Sequence, residues 1–222
     1  AADCRLVSLS GGGKENAIPK EAKAVVSVRS CDATTFEQSI KESEAVWMQE
    51  ISATEPYAKI ELEKTDIAAD KVLDSKSTAN VIYALWLSPD GVYKMSQEIK
   101  GMVQTSLNLE TAYLDADKLV YKYLIRSNTA AGKKLLLERV TTFAKHLSGK
   151  VVTMSDYPAW EYKSDSQLRK ICVDSFTNVY GHEPEVTSIH AGLECGILAG
   201  KMPGVDMISF GPTLESVHTP DE

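Results

Sequence analysis

Positive charge is in deficit: 24 Lys and Arg face 31 Asp and Glu, a formal net charge of −7. A surface that binds nucleic acid needs a basic stripe to neutralise phosphates, so that class is excluded. Long apolar runs are also missing. No stretch approaches the ~18 consecutive apolar residues of a membrane-spanning helix, which excludes such a span. The opening Ala1-Ala2-Asp3-Cys4-Arg5-Leu6-Val7 has neither a basic start nor an apolar core, so no secretory leader is expected. It also lacks an initiator Met, which suggests processing or truncation. The four cysteines, Cys4, Cys31, Cys172 and Cys195, are scattered without CxxC spacing. Their scatter speaks against finger-type structural zinc and fits reduced thiols in a cytoplasmic protein. No internal repeat or low-complexity segment is visible.

What is present is ordinary for a soluble globular protein: 222 residues, 43% hydrophobic and 25% charged. That suffices for one large domain or two small ones. Residues Ala22 to Arg29 alternate apolar and polar and predict a half-buried strand. Phe36, Ile40, Trp47 and Ile51 recur at helical spacing and predict a helix from Thr34 to Ser52. Ala58, Ile60 and Leu62 against Lys59, Glu61 and Glu63 predict a second strand. A short helix, Ser75 to Leu87, runs into the turn Ser88-Pro89-Asp90-Gly91. Met102–Tyr113 and Lys118–Arg126 read as an antiparallel hairpin, and Leu136, Val140, Phe143 and Leu147 mark a helix stopped by Gly149. This order predicts an α+β unit, helices on one face of an antiparallel sheet.

Tyr157-Pro158-Ala159-Trp160 breaks the rhythm, and a domain boundary is placed at Pro158. Beyond it, Ser164 with Gln167 reads as a capping box for a helix that Gly181 stops. Two apolar runs, Val186–Ile189 and Val205–Phe210, flank a small helix at Leu193–Ala199. That is α/β character of the βαβ kind, a poor free-standing unit and the expected end piece of a larger domain.

Four places carry candidate chemistry. Arg126, at a strand end before a helix, either clamps a carboxylate through its bidentate fork or sits in a surface ion pair; the residues alone favour the ion pair. His218 follows Gly211-Pro212 beyond an apolar strand, where it either binds a metal with Asp221 or Glu222 behind it or is simply solvated. His190-Ala191-Gly192-Leu193-Glu194-Cys195-Gly196 reads equally as a site loop, with a Cys–His pair in reach, or as a tight turn before a helix. Asn16, in the loop after Gly11-Gly12-Gly13, either donates to a ligand oxygen or forms a turn.

Taken together, these segments resemble the aminoacyl-histidine dipeptidases, the bacterial carnosinase-like branch of the dizinc peptidases. The stretches that carry the resemblance run through the chain in family order. They include Gly12-Gly13-Lys14-Glu15-Asn16-Ala17-Ile18-Pro19, Pro89-Asp90-Gly91-Val92, Thr105-Ser106-Leu107-Asn108-Leu109 and Ile125-Arg126-Ser127. Tyr157-Pro158-Ala159-Trp160, Ile189-His190-Ala191-Gly192-Leu193-Glu194-Cys195-Gly196, Ile208-Ser209-Phe210-Gly211-Pro212 and His218-Thr219-Pro220-Asp221-Glu222 complete them. Nothing in Thr34–Asp74 contributes.

The resemblance implies a substrate-covering and dimerising lid over residues 1–158, followed by the C-terminal part of the catalytic α/β domain over 159–222. It implies that His218 is a zinc ligand, that Arg126 holds the free carboxylate of a dipeptide, and that Asn16 contacts the substrate near the scissile carbonyl. Glu194 falls in the glycine-rich site loop, with no role assigned. The implied reaction is hydrolysis of Xaa-His dipeptides such as β-alanyl-histidine by water activated between two zinc ions, in a cytoplasmic homodimer. The other zinc ligands and the general-base glutamate are expected upstream of Ala1. On this expectation the chain is a fragment, inactive alone and with an incomplete metal site. The competing readings are a non-catalytic binding or dimerisation module, a related dizinc aminopeptidase, deacylase or carboxypeptidase, and a thiol hydrolase built on Cys195 and His190.

Overall fold

The computed structural model describes residues 3–13, 18–65, 71–116, 118–187 and 194–211. They form two compact units, Ala1–Ser88 with Leu109–Leu124, and Pro89–Asn108 with Ile125–Glu222.

In the first unit, β1 (Cys4–Gly11) pairs antiparallel with β2 (Ala22–Val28), Cys4 opposite Val28 and Gly11 opposite Ala22. The ladder slips between Leu6 and Ser8, a bulge at Val7. Beside the slip the Leu6 amide donates to Thr78 Oγ1 at 3.1 Å, and the Leu6 carbonyl accepts from the Leu73 amide at 2.8 Å. These bonds seat the helix that contains Thr78. After a 3-10 turn at Ser30–Asp32 comes α1 (Ala33–Ile51), none of whose residues is fully buried. The next helix, α2 (Ser75–Leu87), starts on Asp74, whose carboxylate accepts from the Ser77 amide at 2.9 Å. Thr78, Val81 and Ala84 recur every three residues and form its buried face.

The strand expected at Ala58–Glu63 is not formed. The segment alternates as a strand should, but it runs back along α1 rather than beside a sheet edge. Its amide at Ile60 donates to the Glu44 carboxylate at 2.6 Å, and Lys64 pairs with Glu37 at 3.0 Å. Alternation supplies the side chains of a strand; only a neighbouring strand supplies the ladder bonds.

The long strands serve both units. A short β3 (Gly91–Met95) precedes β4 (Val103–Asp115) and β5 (Lys118–Ser127), and β4 and β5 pair as the hairpin expected from the sequence. The second unit contains the start of β4, paired antiparallel with β3 through Gly91 opposite Leu107. The first unit contains its end, paired antiparallel with β1 through Ser10 opposite Tyr113. Burial along β4 changes parity on the way: Thr105 and Leu107 are buried, then Glu110 and Ala112. In the first unit Gly12, at φ +73°, lies against Glu110, and any Cβ there would overlap the Glu110 carbonyl oxygen.

The second unit adds α3 (Ala130–His146), α4 (Gln167–Tyr180) and α5 (Glu194–Lys201). Among the described residues its buried apolar side chains include Met102, Leu107, Leu136 and Val140. Full burial of a leucine contributes about 1.5–3 kcal/mol, so Leu107 and Leu136, each 1% exposed, are the strongest apolar anchors. The left-handed residue that ends α3 is Ser148 at φ 58°, rather than the expected Gly149, whose amide bonds back to the Ala144 carbonyl at 2.7 Å. Gly181 does stop α4, at φ 74°. The α4 cap is Ser166 rather than Ser164: its hydroxyl accepts from the Arg169 amide at 3.0 Å. Val205–Phe210 forms no strand, because no neighbour among the described residues offers it a ladder. Val186 and Thr187 likewise lie outside any strand, and the rest of that expected run lies outside the described residues. The class is α+β, antiparallel strands with helices, as expected.

Candidate functional site

Of the four residues singled out from sequence, Arg126 and Glu194 lie among the described residues; Asn16 and His218 do not. Nor do His190, Asp221 and Glu222, so neither the candidate Cys–His pair nor the expected metal ligand with its neighbours falls within the described residues.

Arg126 is half-buried at the penultimate position of β5, the strand end foreseen from sequence. Directly beyond it lies a compact set of hydroxyl groups. The Ser127 hydroxyl lies 2.9 Å from Thr105 Oγ1 and accepts from the Thr129 amide at 3.2 Å. Thr129 caps α3, its hydroxyl accepting from the Gly132 amide at 3.2 Å, and Gln104 Nε2 donates to the same oxygen at 3.4 Å. The Asn128 amide donates to the Gln104 carbonyl at 3.1 Å, closing the strand end. The side-chain oxygen of Asn128 is buried and has no hydrogen-bond partner among the described residues.

Gly132 explains how these groups fit. A Cβ at this position would lie 2.5 Å from Thr105 Oγ1, 2.6 Å from Ser127 Oγ and 2.9 Å from Thr129 Oγ1. All three are closer than real carbons approach. Glycine in a helix costs about 1 kcal/mol relative to alanine, and the hydroxyl cluster is the physical reason for it here.

The first turn of α3 is also held from outside. The Ala130 amide donates to the Glu161 carboxylate at 3.0 Å, a negative group at the positive end of a helix. Lys133 reaches the Asp156 carboxylate at 2.6 Å and the Tyr157 carbonyl at 2.7 Å. The same segment supports α5: a Cβ on Gly196 would lie 2.8 Å from the Pro158 carbonyl oxygen, and one on Gly200 would lie 2.6 Å from Pro158 Cγ. Glu194 is exposed in the first turn of that helix. Next to it, half-buried Cys195 directs its sulfur at the Ile208 carbonyl, 3.9 Å away. Thus residues 156–161 brace both the helix after Arg126 and the helix that Glu194 begins.

The described residues do not fit a metal on their own: no group of three or more His, Cys, Asp or Glu side chains among them could hold one. Nor, among them, is any helix long and apolar enough to cross a membrane.

Comparison with known proteins decides the relationship. Over 221 residues, 99% of the chain, the sequence is 30% identical to the cytosol non-specific dipeptidase of Escherichia coli (strain K12). The fold matches the crystal structure of aminoacylhistidine dipeptidase from Vibrio alginolyticus with a TM-score of 0.87 and 32% identity, again over 99% of the chain. The chain is homologous to the aminoacyl-histidine dipeptidases. It spans less than half the length of these relatives, 45% of the first and 44% of the second. No family model matches it. The likeness bears out the resemblance read from the motifs, and the fold is that of part of the aminoacylhistidine dipeptidase chain.

The hydroxyl cluster is not legible in the sequence. Gln104 and Thr105 lie more than twenty positions before Ser127, Thr129 and Gly132, and the one local signal is a glycine inside an otherwise helical pattern.

Proposed function

We propose that this chain is part of a metal-dependent dipeptidase that cleaves Xaa-His dipeptides such as β-alanyl-histidine in the cytoplasm. The observation that carries the reading is the likeness, along nearly the whole chain, to proteins named as dipeptidases. In this reading residues 1–158 are the substrate-covering lid and 159–222 the C-terminal part of the catalytic domain. Arg126 forks onto the free carboxylate of the dipeptide, a geometry guanidinium suits. Asn16 contacts the substrate near the scissile carbonyl, Glu194 lines the glycine-rich loop, and His218 is one ligand of a two-zinc centre whose remaining ligands lie elsewhere in the complete enzyme. The chain alone is inactive.

The test is hydrolysis of β-alanyl-histidine, other Xaa-His dipeptides and dipeptides without histidine, by the chain and by the complete enzyme with added zinc. Activity is expected only in the complete enzyme, with Xaa-His substrates preferred. Arg126→Ala is expected to lower kcat/KM about 10- to 100-fold, the worth of hydrogen bonds to a charged group. Full activity of that variant would remove Arg126 from the site. Equal rates on substrates with and without histidine would replace the specific reading with a broad dipeptidase.

The dimerising role has its own support. On α2 the residues Ile82, Tyr83 and Trp86 are 45%, 65% and 84% exposed, an apolar stripe beside the helix's buried face. We read it as a contact between two copies of the enzyme; a monomer by sedimentation at micromolar concentration would refute that.

A further inference from the structure

We infer that Gly132, with the hydroxyl cluster it admits, is the positioning device for Arg126; this rests on the reading of Arg126 as the carboxylate-binding residue. Arg126 and Ser127 are consecutive on β5, and consecutive strand side chains leave on opposite faces. Fixing Ser127 therefore fixes the side and the height at which Arg126 leaves the strand. Ser127 is fixed from two directions: by Thr105 Oγ1, on the neighbouring strand β4, at 2.9 Å, and by the Thr129 amide, at the entry to α3, at 3.2 Å. Thr105 is 3% exposed, so its hydroxyl does not turn out into solvent. Gln104 ties in both the cap oxygen of Thr129 and the Asn128 amide.

Every one of these oxygens crowds the same empty position, the missing Cβ of Gly132. The cluster closes only because that position is empty. An alanine there pushes on three oxygens linked through Ser127, to Thr105 at 2.9 Å and to Thr129 at 3.4 Å, and the displacement passes along one residue of backbone to Arg126. Arg126 is the substrate-touching residue in this account; Gly132, Ser127, Thr129 and Thr105 act through it. A guanidinium that binds a carboxylate with two parallel bonds tolerates little rotation, so a small shift of the strand end is felt in binding.

The experiment uses the complete enzyme and two matched substrates, a dipeptide and the same dipeptide with its carboxylate blocked as the amide. Wild type is expected to prefer the free carboxylate, and Arg126→Ala to abolish that preference. Gly132→Ala is expected to lower the preference about tenfold through KM, with kcat on the amide kept, because misplacement by a fraction of an ångström affects only the group that is misplaced. On the Arg126→Ala background, Gly132→Ala is expected to add nothing, the signature of two residues acting as one unit. Ser127→Ala, which removes an oxygen without adding bulk, is expected to give a smaller loss of the same kind; Thr105→Ser, which keeps the hydroxyl, is expected to retain the preference. A Gly132→Ala enzyme that keeps full carboxylate preference, or whose loss adds to that of Arg126→Ala, overturns the inference while leaving the role of Arg126 intact. An Arg126→Ala enzyme with undiminished preference overturns both.

Discussion

Helices α3 and α4 begin alike and are held differently. Each starts on a hydroxyl cap, Thr129 for α3 and Ser166 for α4, accepting from the amide three residues on. Beneath α3, however, lie Leu136 and Val140, both buried; α4 has no buried residue, and its Ile171 and Val179 are exposed. Beyond its cap, α4 relies on a carboxylate from another part of the chain. Asp206 accepts from the Leu168 amide at 2.9 Å and from the Ser166 hydroxyl. Both helices thus meet a carboxylate at the first turn, Glu161 for α3 and Asp206 for α4, but only α3 adds buried side chains to that hold. Such a difference decides which helix responds to a cavity and which depends on its start.

The largest effect is expected at Leu136. Truncation to alanine should cost about 2–5 kcal/mol, transfer plus cavity, seen as a lower urea midpoint. The same change at Ile171 on α4 should stay within about 0.5 kcal/mol, since an exposed side chain has little burial to lose. If the two losses were similar, the contrast between the helices would be wrong. Next comes the cap: Ser166→Ala should cost about 1 kcal/mol, and loss of helical circular dichroism should begin earlier on heating.

The smallest effect is one of pH, at the start of α4. The backbone amide of Leu168, then the Ser166 hydroxyl, hold the Asp206 carboxyl below its usual range. A lowered native pKa means stability that is present above the ordinary carboxylate value and is lost as pH falls through the native one. The wild-type melting temperature should therefore fall on the acid side, and Asp206→Asn should flatten that fall. Thr129, the cap of α3, has no proton to gain in this range, so Thr129→Ala should leave the acid slope unchanged. An unaltered slope in Asp206→Asn would show that the tether does not act through its charge.

How far the sequence foretells this depends on how local each cause is. The limits of α2 are legible without error, and those of β2, β4, β5 and α4 to within a few residues, because period, cap and turn residues lie inside or beside each element. In β1 the bulge at Val7 interrupts the alternation that would reveal it, and five-residue β3 buries too little to leave a pattern. Ala58–Glu63 misleads because its alternation is that of a strand and its neighbour is a helix. Ser164 looks the better cap because the partner that favours Ser166, Asp206, is 40 positions away in sequence. In the site, Arg126 stands where the strand pattern puts it. The groups that hold its strand end do not show, since Thr105 and Ser127 meet only once β4 and β5 pair.

The change of burial parity along β4 has a consequence for how this chain can vary in length. Thr105 and Leu107 need one phase of the strand, and Glu110 and Ala112 need the other. One inserted or deleted residue outside the Leu107–Glu110 interval, yet within the strand, would rotate one of these pairs out of its core, while two would restore it. β4 can therefore drift in composition at its half-exposed positions, but changes in its length within either unit should come in twos.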